Sequence, residues 1–449
     1  MKTLWILLAA LTAAVLAQGA DMKIPFEKYK LKNGMRVILS QDNSVPVVTV
    51  YMLYDVGARS EEKGRTGFAH LFEHMMFQGS KNAPKGTHFQ TVEANGGSLN
   101  GSTHPDFTDY FEVLPSNKLA VGLWLESDRM RSLAINDANL TNQKEAVKEE
   151  RRLSFDNRPY NTAIIDTWPQ LAFQNWQSSH SLIGSYEDLN AASVDDVAKF
   201  FKTYYAPNNA ILSIVGDIKI PEAKKLIETY FGDIASQPQP KRPDLTEPDK
   251  FIPRSEVYKD PMARVPAVII GWPGPPRRSA DFNALLMADA LFTAGESSRF
   301  QQDLVKGKQS VLQYEANLGW PFASAADYKA PALYAMNFLY NPKFTAKDIV
   351  AQVDEEVAKL QKEPVDKKEL DRARIFLRAA RIKEVQSSLT RATLLAQYEM
   401  FDGNPGLITT ELDTFLAVTP EQIQAAVKKY LVPEKRVVLE IAPAPKEKK

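Results

Sequence analysis

Two widely separated stretches of this chain end in the same way, and that constrains its fold more than any other feature. Val194-Asp195-Asp196-Val197-Ala198-Lys199-Phe200-Phe201-Lys202-Thr203-Tyr204-Tyr205-Ala206-Pro207 leads into the apolar run from Ala210 to Val215. Pro420-Glu421-Gln422-Ile423-Gln424-Ala425-Ala426-Val427-Lys428-Lys429-Tyr430-Leu431-Val432-Pro433 leads into another, from Arg436 to Ile441. Each is a helical pattern, a tyrosine, a proline and a strand. Val45-Pro46-Val47 and Val265-Pro266-Ala267 likewise each open a strand. A repeat of ~220 residues is too long for a solenoid and implies two similar folded units. Between them Pro238, Pro240, Pro243, Pro248 and Pro253 fall in a polar stretch, which reads as an extended linker. Strand runs mixed with long helices predict an α+β fold: two similar sandwich domains, each a largely antiparallel sheet covered by helices, joined by a Pro-rich linker. The expected boundaries are 21–235, linker 236–256, and 257–443.

The first unit carries a stretch the second lacks, His70-Leu71-Phe72-Glu73-His74. Gly67 and Gly79 bracket good helix formers, so the stretch reads as a helix. At ~100° per residue His70, Glu73 and His74 share one side, while Phe68, Leu71, Phe72 and Met75 share the other. Imidazoles at i and i+4 can hold one Zn²⁺, and the carboxylate between them is placed to take a proton from water. A catalytic zinc takes three protein ligands. A second helix, Asp137 to Arg152 with Asp137 or Asn139 as its N-cap, offers Glu145, Glu149 and Glu150, and spacing alone does not choose among them. The three other histidines, His88, His104 and His180, read as structural polar groups. At the corresponding place in the second unit stands Leu285-Leu286-Met287-Ala288-Asp289-Ala290-Leu291, with no metal-binding character.

Met1-Lys2, an apolar run from Leu4 to Ala17 and small residues to Ala20 read as a secretory signal over 1–20, too short an apolar run to span a bilayer comfortably. This predicts export, to a bacterial periplasm. The chain has no cysteine, so stability must come from core burial rather than disulfides. Lys+Arg and Asp+Glu both number 55, which leaves no basic footprint for nucleic acid. The tail 444–449 is low in complexity and expected to be disordered.

The His-x-x-Glu-His order is the signature of the inverzincins. The stretches around it resemble the pitrilysin/insulinase family, especially its short bacterial and mitochondrial-processing-peptidase-like members. They are Asp55-Val56-Gly57-Ala58-Arg59-Ser60-Glu61-Glu62, Thr66-Gly67-Phe68-Ala69-His70, Leu123-Trp124-Leu125-Glu126-Ser127-Asp128-Arg129-Met130, Asn157-Arg158-Pro159-Tyr160 and Tyr205-Ala206-Pro207-Asn208-Asn209-Ala210. The resemblance implies a zinc endopeptidase with Glu73 as general base and His70, His74 and Glu150 as ligands. Glu150 is picked out by its Val147-Lys148-Glu149-Glu150-Arg151-Arg152 context. It further implies that Asn100, Gly101 and Ser102 lie on an edge strand where an extended peptide adds by β-augmentation. Gln143 stands where many relatives carry a second acid; an amide can orient a ligand but cannot share proton transfer. Relatives also carry in the second unit an Arg and a Tyr, in a segment like Leu-Arg-Glu-Lys-x-Gly-Leu-Ala-Tyr. Here Val305 or Lys306 occupies the Arg position, Leu312 stands near the Tyr position, and Tyr314 comes two residues late. A complete metal unit without that pair predicts a homologous non-metal partner subunit that supplies it, the alternative being a homodimer. The contrasting reading is a peptide-binding or chaperone-like subunit with a structural zinc.

Overall fold

The computed structural model describes residues 23–248, 251–321, 328–329 and 332–444. The expected signal segment and all but the first residue of the expected tail lie outside them. Of the tail, Ala444 donates its backbone N–H to Asp260 O at 2.8 Å.

Two sheets are built from eleven strands among the described residues. The first holds β1 (Glu27–Lys30), β2 (Arg36–Gln41), β3 (Val47–Tyr54), β4 (Ser98–Thr103), β5 (Thr108–Pro115) and β6 (Ala210–Gly216), in the order β1-β2-β6-β3-β5-β4. The second holds β7 (Arg254–Asp260), β8 (Ala267–Pro273), β9 (Val311–Leu318), β10 (Leu333–Tyr340) and β11 (Val437–Pro443), in the order β7-β11-β8-β10-β9. Set β1 aside and the two orders are the same. Even the single parallel pair recurs, β2 with β6 in one sheet and β7 with β11 in the other. The repeat seen in the chain endings therefore extends to topology, and the sheets are largely antiparallel as expected.

Five helices of each unit follow the same correspondence, while Ile220–Phe231, after β6, has no counterpart among the described residues. The first unit has α1 (Phe68–Met75), α2 (Thr87–Ala94), α3 (Leu119–Ser132), α4 (Asp137–Arg151), α5 (Trp168–Ala172) and α6 (Val194–Tyr204). The second has α7 (Ala280–Thr293), α8 (Ala346–Lys362), α9 (Lys367–Glu384), α10 (Ser388–Asp402) and α11 (Pro420–Tyr430). In chain order, α1, α3, α4, α5 and α6 match α7, α8, α9, α10 and α11. The paired endings α6 and α11 both start with a capping box, Ser193 with Asp196 and Thr419 with Gln422. In each, the cap hydroxyl accepts from the N–H of the third helical residue, whose side chain reaches back to the cap's N–H.

The sheets are covered by helices as expected, and the cover extends to both faces. The inner strands require this: β6 is buried at every position, and β3 at all but its first. Strands buried on both faces read as continuous apolar runs, as Ala210-Ile211-Leu212-Ser213-Ile214-Val215 nearly does. One face packs under the unit's own helices. The other packs under a helix of the opposite unit. Ala392, Leu395 and Ala396 of α10 join Ile38, Leu53, Ile211 and Val215 of the first sheet in one buried cluster. Reciprocally, Trp168, Leu171 and Ala172 of α5 join Ala267, Ile269, Ala335 and Leu439 of the second sheet. Gly271 makes room for this: a Cβ there would stand 2.6 Å from Trp168 Cη2. The Asn157–Tyr160 stretch secures the crossing. Tyr160, at φ 70°, donates its N–H to Asp260 Oδ2 at 2.6 Å and its hydroxyl to Val265 O at 2.8 Å. The described part of the Pro-rich stretch has no regular structure but is not loose. Arg242 pairs with Asp55 Oδ2 at 2.7 Å, and Gln237 N–H donates to Asn208 Oδ1 at 3.1 Å.

Trp168 is fully buried in the other unit's core. Trp168→Ala is expected to lower unfolding free energy by about 3–5 kcal/mol, the usual effect of deleting a buried aromatic. Both units should still unfold in one transition. Urea denaturation followed by fluorescence and far-UV dichroism checks both; two separated transitions in the unsubstituted chain would refute the mutual dependence.

Candidate metal centre

The helix α1 begins at Gly67, whose φ of 80° suits glycine, and no neighbouring side chain of the Ser/Thr/Asn type caps it. The cap comes from further back. The buried Glu61 carboxylate accepts from Gly67 N at 2.9 Å and Ala69 N at 2.8 Å. An anion at a helix N-terminus satisfies orphan N–H groups and complements the helix dipole. His180 holds that carboxylate: its Nε2 lies 3.0 Å from Glu61 Oε2 and 3.0 Å from Ala58 O, and its Nδ1 lies 3.0 Å from Trp176 O. His180 is thus structural, as expected, with a bearing on the site. Phe68, Leu71, Phe72 and Met75 are buried, and the Phe72 ring lies 4.2 Å from that of Tyr205. This packing turns His70 and His74 toward α4 and Glu73 toward β4.

The α4 cap is Asn136, one residue ahead of Asp137 and three ahead of Asn139, the expected candidates; its side chain accepts from Asn139 N at 2.9 Å. Of the three acids on this helix, Glu145 pairs with Lys148 at 2.5 Å and Glu149 with Arg152 at 2.5 Å, both turned to solvent. Glu150 alone reaches the imidazoles, with Oε1 3.7 Å from His70 Nε2 and Oε2 3.2 Å from His74 Nε2. Tetrahedral donors at ~2.0–2.1 Å from one zinc ion stand roughly 3.3–3.4 Å apart. The three donor atoms all lie within 4.8 Å of one another, so the set fits a zinc ion with small side-chain adjustments. Burial and the His74 imidazole push His70 down to about 4, so it stays neutral with a lone pair to give. The hydrogen bond from His74 holds Glu150 below its usual range, as an anion. Gln143 hydrogen-bonds His74 and donates Nε2–H to Asn142 Oδ1 at 2.8 Å.

Glu73 stays outside this triangle. Burial pushes its carboxyl up to about 7, and the Thr103 hydroxyl donates to its Oε2 at 2.6 Å. The residue Thr103 belongs to β4, the outermost strand of the first sheet, paired only with β5. Gly101 shares its face: a Cβ there would lie 3.2 Å from Glu73 Cγ and 3.0 Å from Tyr110 Cδ1. Glycine thus lets the strand pass directly beside Glu73. Asn100 is exposed on the other face, where the Ser102 hydroxyl donates to Asp109 Oδ1 at 2.6 Å and so is committed internally.

Sequence reasoning missed Glu61 and the Thr103–Glu73 bond. An acid six residues before a glycine-started helix, and a threonine two after Gly101 on an alternating strand, are the signals that could have found them. A second group of ligand-type side chains, His88, Glu112 and Glu126, is wholly buried. The Arg129 guanidinium is ion-paired with both carboxylates and occupies the cation's place. His88, 2.9 Å from Glu112 Oε1, is structural. So is His104, which bonds the Ser102 hydroxyl at 3.0 Å and stacks on Phe107.

In the second unit, Lys306 pairs with Glu296 at 2.7 Å, Leu312 is exposed on β9, and the Tyr314 hydroxyl lies 3.0 Å from Ser298 Oγ. None of these three is set aside as a free Arg-like or Tyr-like donor.

The two-unit scaffold, whose clusters of metal-ligand-type side chains among the described residues all lie in the first unit, is matched by comparison with known proteins. Residues 36–185 match the family model described as insulinase (peptidase family M16), and residues 191–377 match the model described as the peptidase M16 inactive domain. This chain belongs to the insulinase (M16) peptidase family. It is 28% identical to zinc protease PqqE of Helicobacter pylori over 90% of this chain and 89% of that one. It is 24% identical to the beta subunit of the mitochondrial-processing peptidase of Bos taurus, over 92% of this chain and 83% of that one. The crystal structure of a protease from Helicobacter pylori superposes with a TM-score of 0.87 at 26% identity, covering 94% of this chain and all of that one.

Removing the Glu61 carboxylate frees two N–H groups at the start of α1 and strands His180. Glu61→Ala is expected to reduce stability by about 1–3 kcal/mol, the penalty for leaving buried polar groups unpaired. It should also weaken zinc binding, because His70 follows Ala69 directly. A metal titration giving the unsubstituted affinity would show that α1 is held by other means.

Proposed function

We propose that this chain is an exported, zinc-dependent endopeptidase acting on peptides or unfolded polypeptides. The observation that carries the reading is the convergence of two imidazole nitrogens and one carboxylate at zinc-ligand spacing, beside a second, half-buried acid, Glu73, that is not among them. His70, His74 and Glu150 would hold the metal. Zinc, when bound, would supply Lewis acidity that polarises a carbonyl and acidifies water. Glu73 takes the proton of the attacking water and passes it to the amine nitrogen as the peptide C–N bond breaks. Thr103 fixes one oxygen of Glu73, leaving the other to face the reacting water. The free edge of β4 at Asn100, Gly101 and Ser102 receives an extended substrate by backbone pairing, which tolerates varied sequences. A subunit that held zinc only structurally would have no use for Glu73. Glu73→Gln should retain stoichiometric zinc and lose nearly all hydrolysis. Glu150→Gln should weaken zinc at least tenfold, while Glu149→Gln should change it little. Peptide cleavage at near-unsubstituted rate by Glu73→Gln would sink the mechanism; a reversed pattern for the two glutamates would move the ligand.

The export reading rests on the apolar leader; no helix among the described residues is long and apolar enough to cross a membrane. The partner reading rests on Lys306 and Tyr314, both engaged within the second unit, and on relatives named as subunits. We propose a homologous subunit lacking the metal motif, which supplies an Arg and a Tyr to orient the scissile carbonyl; a homodimer is the alternative. Poor orientation slows such reactions by orders of magnitude. The purified chain alone is therefore expected to cleave an unstructured peptide slowly, and co-expression with the metal-free homologue to raise the rate at least a hundredfold. Full activity of the isolated chain rules the second subunit out.

A further inference from the structure

Where α1 and α4 bring together His70, His74 and Glu150, the corresponding helices of the second unit, α7 and α9, leave a cavity of about 400 Å³. It is lined by Ala290 of α7, by Ala294 just past its end, and by Arg372, Phe376 and Ala379 from α9; two acids also line it, Glu369 of α9 and Glu296, the latter paired with Lys306 at 2.7 Å. Its shape follows from composition: small residues on α7 stand back, and Phe376 forms one wall. The outward face of α9 continues the apolar surface, with Ile375 69%, Phe376 47% and Ile382 47% exposed. Large apolar side chains this exposed on one face mark an interaction surface more often than a solvated helix.

The charges on α9 are one-sided. Its three acids are all engaged: Glu369 with Arg299 at 2.7 Å, Asp371 with Lys367 at 2.6 Å, and Glu384 with Arg381 at 3.1 Å. Lys368, Arg372, Arg378 and Lys383 are exposed and make no ion pair among the described residues. At ~100° per residue these four cations and the three large apolar residues fall within roughly 160° of arc. The uncompensated charge of the face is therefore wholly positive and calls for an acidic partner. The concave cavity decides what kind. It is sized for one large side chain, which a polypeptide presents at a fixed point and a lipid headgroup layer does not.

We propose that the α7–α9 cleft of the second unit is a recognition site for an acidic polypeptide segment carrying a large apolar side chain. That side chain enters the cavity, and the flanking carboxylates meet Arg372 and Lys368 on one side and Lys383 on the other. The site is built wholly within the non-metal unit and works whether or not the first unit hydrolyses peptides.

The test uses the full chain carrying Glu73→Gln, so that the probe is not consumed, and a fluorescent hexapeptide with one Phe among Asp and Glu. Anisotropy should show binding that weakens with added NaCl and survives chelation of zinc. Changing the probe's Phe to Ser, or its acids to Lys, should abolish it. Ala379→Trp, which fills the cavity from an exposed helix position, and the double substitution Lys368→Glu with Arg372→Glu should each weaken it at least tenfold. Binding that ignores both variants would overturn the assignment, as would no binding. Sedimentation of the chain with phosphatidylglycerol vesicles, dependent on Ile375 and Phe376 and without peptide binding, would give the face to a membrane and also overturn it.

Discussion

A strand buried along its whole length needs apolar cover on both faces, and that requirement organises this molecule. The unit's own helices cover one face of each sheet. With β3, β6 and β8 so apolar, the other face left bare would expose a contiguous hydrophobic surface. The chain meets the need by exchange: α10 lies under the first sheet and α5 under the second. Neither unit has a complete core without the other. The exchange also fixes their relation, since Trp168 occupies the space left by Gly271 in β8.

The site inherits its order from buried polar groups rather than from the apolar core directly. An eight-residue helix is too short to be stable by itself. The α1 helix persists because its apolar face is buried and its N-terminus is held by Glu61, itself held by His180. The same economy appears behind β5, where Arg129 lies between Glu112 and Glu126 in a fully buried cluster with His88. Removing one charge there would leave the others unmatched in a low-dielectric interior. The result is a face of two imidazoles and a carboxylate set in a frame in which few side chains can move alone.

What the sequence disclosed, and what it hid, follows from range. The i, i+4 histidines, the strand opened by Val45-Pro46-Val47 and the paired helix–tyrosine–proline–strand endings are local, and all three were legible. The common order of the two sheets was anticipated only as similarity, because strand order is a long-range property that the repeat constrains without specifying. The exchange of α5 and α10 was invisible: nothing in Trp168-Pro169-Gln170-Leu171-Ala172 says which sheet it will cover. Spacing left three glutamates on α4 in contention, and the resemblance favoured one. The structure brings Glu150 to the imidazoles because the flanking acids find Lys148 and Arg152 on the solvent side. Asn136, one residue ahead of Asp137, was missed because adjacent Asn and Asp residues cap helices almost equally well.

The crossing of α5 and α10 also bears on how such a chain can be cut or rearranged. Residues 235–248, between the units, are the natural place for a protease to nick, since they lack regular structure. A nick there would not release two bodies, because each fragment keeps a helix buried in its neighbour. The covalent connection is thus topologically redundant once the chain has folded. What it provides is proximity during folding, when two half-covered sheets must find each other before finding anything else. A gene split at that point would encode two polypeptides that must fold as one.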